Sequence, residues 1–212
     1  MSSDKKNQPE IKPKYVLVFE FDKTLFPIHS HGHPTKNFTP TDENITQINT
    51  FFSTWLKNGH TIIILTRSIQ SETIQWCKTL LEQKKITFAV SATNEPNTVR
   101  IISPKDLLYK AHLQDDNYWP IWKADQMLFL QDEYKSQQMF YIDYLESTLQ
   151  AVKLLNPSVN CIEVPEGDYM YALTKVNEWL DTLDKQGKKK RKTKKIKKSK
   201  SKKSKNKRKY MW

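Results

Sequence analysis

Tyr15 to Leu25 reads YVLVFEFDKTL, and it narrows the possible folds more than any other stretch. Tyr15 to Phe19 is a short run of apolar β-branched and aromatic residues, the pattern of a strand buried on both faces. It runs directly into Glu20 and Asp22, then Lys23 and Thr24. Side chains two apart on a strand share a face, so both acids leave the carboxyl edge of a sheet in one direction. Open α/β sheets place their chemistry at that edge. Acids ending a buried strand need partners, because an unpaired buried charge is costly.

The remaining chain alternates in a matching way. Ile45, Ile48, Phe51, Phe52, Trp55 and Leu56 recur at helical spacing, and Asn58-Gly59 is a stop signal. Thr61 to Leu65 is a second buried strand, followed by Thr66, Arg67 and Ser68. Ile74, Cys77, Leu80 and Leu81 mark a helix, and Ile86 to Val90 reads as a third strand. This alternation predicts a parallel sheet with right-handed crossovers. A short strand is expected at Arg100 to Ile102 and a helix from Trp122 to Tyr134. Met139 to Ile142 is a strand ending in Asp143, and a helix carries Leu145, Leu149, Val152 and Leu155. Val159 to Val164 is a last strand, before a helix lined by Ala172, Leu173, Val176, Leu180 and Leu183.

The apolar fraction of 37% suffices for one core. The net charge of +12 is unevenly placed: residues 188–212 hold 16 of the 35 Lys and Arg and no acid, so residues 1–187 carry a net −4. The expected layout is a disordered lead-in at 1–13, an α/β domain at 14–184 and a disordered lysine-rich tail at 185–212. In that tail, Lys188, Lys189, Lys190, Arg191 and Lys192 open a polycation that suits nucleic acid or an anionic surface, or a nuclear or nucleolar address. Ser199, Ser201 and Ser204 are sites where phosphorylation would weaken that attraction. Cys77 and Cys161 lack metal or redox spacing and read as buried thiols of a reducing, intracellular compartment. No apolar run approaches the ~18 residues of a membrane span.

The first stretch resembles the first motif of the haloacid dehalogenase superfamily of phosphatases and phosphotransferases. That motif is an apolar strand, then Asp, any residue, Asp, any residue, Thr and an apolar residue. Asp22, Thr24 and Leu25 fall in register, while Glu20 stands at the nucleophilic Asp position. Taking Asp22 as the nucleophile would put Phe26 where Thr belongs. Three further motifs match in order: Thr66 after the second strand, Lys123 opening a helix, and Asp143 ending the next strand. Together they span roughly residues 15–165.

The resemblance implies a Rossmann-like three-layer α/β fold with a mainly parallel sheet and a minimal cap. It implies catalytic roles for Glu20, Asp22, Thr66 and Lys123, with Glu20 as nucleophile and Asp22 as general acid/base. The implied phosphate-binding set is Thr24, Thr66, Arg67 and Lys123. Magnesium is implied as cofactor, held by Glu20, the Asp22 backbone carbonyl and Asp143. Two departures bear on activity. Glu20 adds a methylene, and a ~1 Å misplacement costs about a hundredfold in rate. Tyr144 replaces the second acid that often follows Asp143, with Glu146 as a partial substitute.

Two function classes follow. One is a magnesium-dependent phosphatase weakened by Glu20, acting as a monomer on a phosphorylated macromolecule, either phosphoprotein or nucleic acid. The other is a catalytically silent relative that binds phosphorylated or nucleic-acid partners. The macromolecular substrate is inferred from the short spacer, about 20 residues, between the first motif and its helix, and from a 91–121 segment too short for a folded lid. His29, His31 and His33 alternate in the loop after the first motif, where they border the site or bind a transition metal.

Overall fold

The computed structural model of the chain describes residues 14–25, 42–83, 85–112, 114–135, 137–166, 168 and 170–182. The lead-in at 1–13, His29, His31, His33, Leu183 and the basic tail with Lys188 to Lys192 lie outside the described residues. Contacts divide the chain after Ala172. The described residues of the body contain six strands: β1 (Tyr15–Phe19), β2 (Thr61–Leu65), β3 (Ala89–Ser91), β4 (Thr98–Ile102), β5 (Gln138–Asp143) and β6 (Asn160–Glu163). Its helices are α1 (Asp42–Lys57), α2 (Gln70–Glu82), α3 (Asp106–Ala111), α4 (Tyr118–Glu133) and α5 (Glu146–Leu155). Residues 170–182 are also helical. Within the second unit, Lys175 Nζ pairs with Glu178 Oε2 at 2.8 Å.

The strands form one sheet in the order β3-β4-β2-β1-β5-β6, and all five pairings are parallel. This is the Rossmann-like α/β architecture expected from the sequence. The connections run outward from β1 to one side as far as β3, then return to β5 on the other. The reversal falls between β1 and β5, where open sheets leave a crevice beyond the carboxyl ends.

Strand parity explains which side chains meet which helices. Phe19 packs its ring 5.7 Å from Phe52 of α1, and Tyr15 lies 6.3 Å from Trp55. Val16 and Val18 face the other way, into a cluster with Trp119, Trp122, Met127, Met139, Tyr141, Leu149 and Val152. Continued parity sends Glu20 and Asp22 to the α4 side as well. Burying a Val or Phe side chain contributes about 1.5–3 kcal/mol, so a register slip that reversed these faces is strongly disfavoured.

Helix α1 stops where the sequence indicated. The N–H of Gly59 donates to Leu56 O at 2.9 Å and that of His60 to Trp55 O at 3.1 Å. This is a Schellman closure, and it requires the left-handed φ of +77° that Gly59 adopts.

Three expectations are corrected. The expected strand at Ile86 to Val90 is displaced to Ala89–Ser91 and lies at the sheet edge. Ile86 and Phe88 are buried, but as packing ahead of the strand rather than in the ladder. The place beside β2 goes to β4, with Ile62 paired to Val99 and Leu65 to Ile102. Helix α4 starts at Tyr118 rather than Trp122, since Pro120 occupies its first turn, where a missing N–H costs no hydrogen bond. Cys77 is buried, but Cys161 is only partly so, and both are free thiols.

Candidate active site

Glu20 continues β1 by one residue, its N–H donating to Ile142 O at 2.9 Å. Phe19 pairs with Ile142, so the next residue on each strand brings Glu20 beside Asp143. Parity aims both at α4, whose buried stripe includes Trp119, Lys123 and Met127 at four-residue spacing. Lys123 Nζ donates to Glu20 Oε2 and, at 3.1 Å, to Asp143 Oδ2. Lys123 therefore sits in the second turn of α4, not at the helix start. Its ammonium is buried rather than solvated. Burial pushes its pKa below the ordinary lysine range, against the opposing pull of Asp143.

Asp143 is held from three directions. Tyr141 donates its hydroxyl to Oδ2 at 2.5 Å, Lys123 donates to the same oxygen, and the Leu145 N–H donates to Oδ1 at 2.9 Å. Burial, then the charge of Asp143, raises the Tyr141 hydroxyl well above its usual pKa. Asp22 is buried beside Glu20, and its N–H donates to Glu20 Oε1 at 3.3 Å.

The turn that follows Asp22 is also defined. Lys23 has φ +55°, a conformation uncommon outside glycine. Its ammonium pairs with Glu166 Oε1 at 2.6 Å and lies 5.5 Å from the centre of the Tyr144 ring. Thr24 is fully buried, and its Oγ1 has no hydrogen-bond partner among the described residues. Thr66 is also buried; its N–H donates to Ile102 O at 3.0 Å and its Oγ1 accepts the Ser68 N–H at 3.2 Å. Thr66 thus shapes the turn after β2 rather than capping α2, which begins at Gln70.

A cleft of about 410 Å³ opens above these residues, lined by Glu20, Asp22, Arg67, Lys123 and Tyr144, together with Asp116, Trp119, Pro120, Leu145, Ser147 and Thr148. Thr24, Thr66 and Asp143 are buried and do not line the cleft. Arg67 lies at the rim, 3.7 Å from the largely solvated Asp116. Glu146 is exposed and accepts a hydrogen bond from Gln150 at 2.9 Å; it does not line the cleft and so does not replace the acid missing at Tyr144. The sequence reading missed Tyr141 and the wall formed by Asp116, Trp119 and Pro120. Tyr141 stands two before Asp143 on one strand face, a signal that period-two counting detects.

The donor set suits a hard divalent cation. Glu20, Asp22 and Asp143 are three buried carboxylates, and Lys123 is the only buried Lys or Arg among the described residues. Such oxygen donors favour magnesium or calcium over softer metals. Among the described residues no group of three His, Cys, Asp or Glu side chains forms a ready cage. The site implied by the sequence, however, uses two side chains and one backbone carbonyl.

The described body thus has the α/β fold and the strand-end acids that the haloacid dehalogenase resemblance implies. No protein-family profile matches the chain, and no curated protein does. Among solved structures it is similar to the N-terminal part of the protein BF1531 from Bacteroides fragilis, described as containing a phosphatase domain complexed with Mg. The TM-score is 0.48 at 15% identity, covering 76% of this chain. The match spans 38% of that chain's length. No helix among the described residues is long and apolar enough to cross a membrane.

Proposed function

We propose that the chain is a magnesium-dependent phosphatase-type protein whose cleft takes a phosphomonoester carried by a macromolecule, with turnover weakened by Glu20. The observation that carries this reading is that the buried Lys123 ammonium of α4 joins Glu20, just beyond β1, to Asp143 of β5, with the buried Asp22 lining the same cleft. Magnesium would be held by Glu20, the Asp22 carbonyl and Asp143, and would supply charge neutralisation for the phosphoryl group. Lys123 and Arg67 supply positive charge to the same anion. Asp22, at the cleft wall, is placed to protonate a leaving oxygen. Thr24 and Thr66 line the turns behind these groups and offer hydroxyls to phosphoryl oxygens.

Two observations support the finer points. The 91–121 segment contributes β4, α3 and the start of α4, which complete the body rather than form a separate lid, consistent with a phosphate displayed on a large partner. Glu20 Oε2 already accepts from Lys123, which ties down the oxygen that would attack phosphorus. The tail from Lys188 to Lys209 adds salt-sensitive attraction to nucleic acid or another anionic surface. In a eukaryotic cell it serves as a nuclear or nucleolar address. The free thiols fit a reducing intracellular compartment.

The Lys123–Glu20 bond also favours the second reading, a silent relative that binds phosphorylated partners without hydrolysing them. Magnesium-dependent hydrolysis of an aryl phosphate by wild type, Glu20→Asp and Asp22→Asn separates the two. Wild-type turnover that disappears in Asp22→Asn supports the enzyme. Activity confined to Glu20→Asp identifies a competent scaffold silenced at one residue. The macromolecular preference is tested by kcat/KM on a phosphopeptide and a phosphorylated oligonucleotide against a free sugar phosphate.

A further inference from the structure

Tyr141 is fully buried in β5. Phenylalanine would fill the same space without a hydroxyl to desolvate, so packing alone does not call for tyrosine. The hydroxyl bonds Asp143 Oδ2 at 2.5 Å, and a hydrogen bond to a carboxylate at this separation is roughly twice as strong as a neutral one. It also decides how much of Asp143 remains available. Each carboxylate oxygen has two lone pairs. On Oδ2, Tyr141 and Lys123 take both; on Oδ1, the Leu145 N–H takes one. Among the described residues, one acceptor site on Oδ1 is left.

We propose that Tyr141 is a positioning residue that makes Asp143 a one-oxygen ligand and so sets the site's preference for magnesium over calcium. The inference rests on the magnesium reading above. Magnesium demands an octahedron of single oxygens at about 2.0–2.1 Å, whereas calcium accepts both oxygens of one carboxylate at about 2.3–2.6 Å. With Oδ2 closed by two donors, Asp143 suits the smaller ion. Without the Tyr141 hydroxyl, Oδ2 regains a lone pair and the carboxylate gains freedom to turn. The larger ion then gains a donor while the smaller one loses a fixed partner.

The test is isothermal titration of magnesium and of calcium into the full chain, wild type and Tyr141→Phe, without substrate. Magnesium binding is expected to weaken about tenfold or more in the variant, within the ~10–100-fold effect of removing a ligand's supporting hydrogen bond. Calcium binding is expected to hold or tighten. An unchanged magnesium-to-calcium ratio in a folded variant overturns the inference and leaves the magnesium reading intact. A wild type that binds no magnesium overturns both. Thermal unfolding of Tyr141→Phe is followed in parallel, and loss of cooperative melting would assign the hydroxyl to stability and overturn the proposal.

Discussion

Lys123 Nζ bonds Glu20 Oε2 across 103 positions of sequence, with both side chains almost wholly buried. The contact follows from two geometries. Strand parity turns Glu20 toward α4, and the helical stripe through Trp119 and Met127 turns Lys123 toward the sheet. The additional methylene of Glu20 relative to aspartate carries its carboxylate outward into the ammonium.

Shortening that side chain should release it. Glu20→Asp is expected to raise the rate of aryl phosphate hydrolysis by roughly ten- to a hundredfold, the scale set by a misplacement near 1 Å. The change should fall on kcat more than on KM. Steady-state kinetics at saturating magnesium measure it, and an unchanged kcat would remove Glu20 as the cause of weak turnover.

Removing the buried cation should cost stability. Lys123→Met leaves Glu20 and Asp143 facing each other without their ammonium, and breaking a buried pair from one side costs about 3–5 kcal/mol. Magnesium should restore part of this, so the variant's melting temperature should rise more with added magnesium than the wild type's. Denaturant unfolding with and without the ion gives both numbers.

Gly59 offers a test of the scaffold away from the site. Among the described residues a Cβ there meets only the end of the Lys14 side chain, at 3.7 Å, so space is not the difficulty. The φ of +77° is. Gly59→Ala should therefore cost about 1 kcal/mol, lowering the melting temperature without altering the cleft. A neutral substitution would show that the α1 terminus relaxes.

Alkaline pH should unmask Cys77. Burial pushes its thiol from 9.0 up to about 12, so the folded state holds the proton more tightly than the unfolded chain. That contribution is complete below about pH 9 and is withdrawn as pH rises toward about 12, at ~1.4 kcal/mol per pH unit. Wild-type stability should fall faster over this window than that of Cys77→Ala. Denaturation midpoints at pH 8, 9, 10 and 11 compare the two, and parallel curves would contradict the assignment.

Much of the fold was legible because buried parallel strands announce themselves. YVLVF, TIIIL and MFYID need no partner to be read, and their carboxyl ends gave three of the four motif positions, Lys123 coming from helix α4. The β4 strand was harder to see. Its sequence TVRII places Arg100 within the run, and that charge is tolerated because the guanidinium reaches Glu133 Oε2 at 2.7 Å, a residue at the end of α4. Ile86 and Phe88 gave the opposite error, since burial without pairing produces the same apolar pattern as a strand. The first turn of α4, with Tyr118, Trp119 and Pro120, was not read as helix, although a first helical turn accepts proline. At the site, residue types and face were readable, but hydrogen-bond partners were not. Nothing in the order of residues tells that the Tyr141 hydroxyl and the Lys123 ammonium share one oxygen.

The central place of β1 also governs when the site exists. Both of its neighbours come later in the chain, β2 after α1 and β5 only after residue 137. On a ribosome, the acids at 20 and 22 emerge early and wait while more than a hundred residues are added before Lys123 and Asp143 arrive. Pairings of this separation close slowly, and until then one edge of this fully buried strand stays open. Assembly of the charged centre and closure of the sheet are therefore the same late event, and a chain truncated before β5 should have neither.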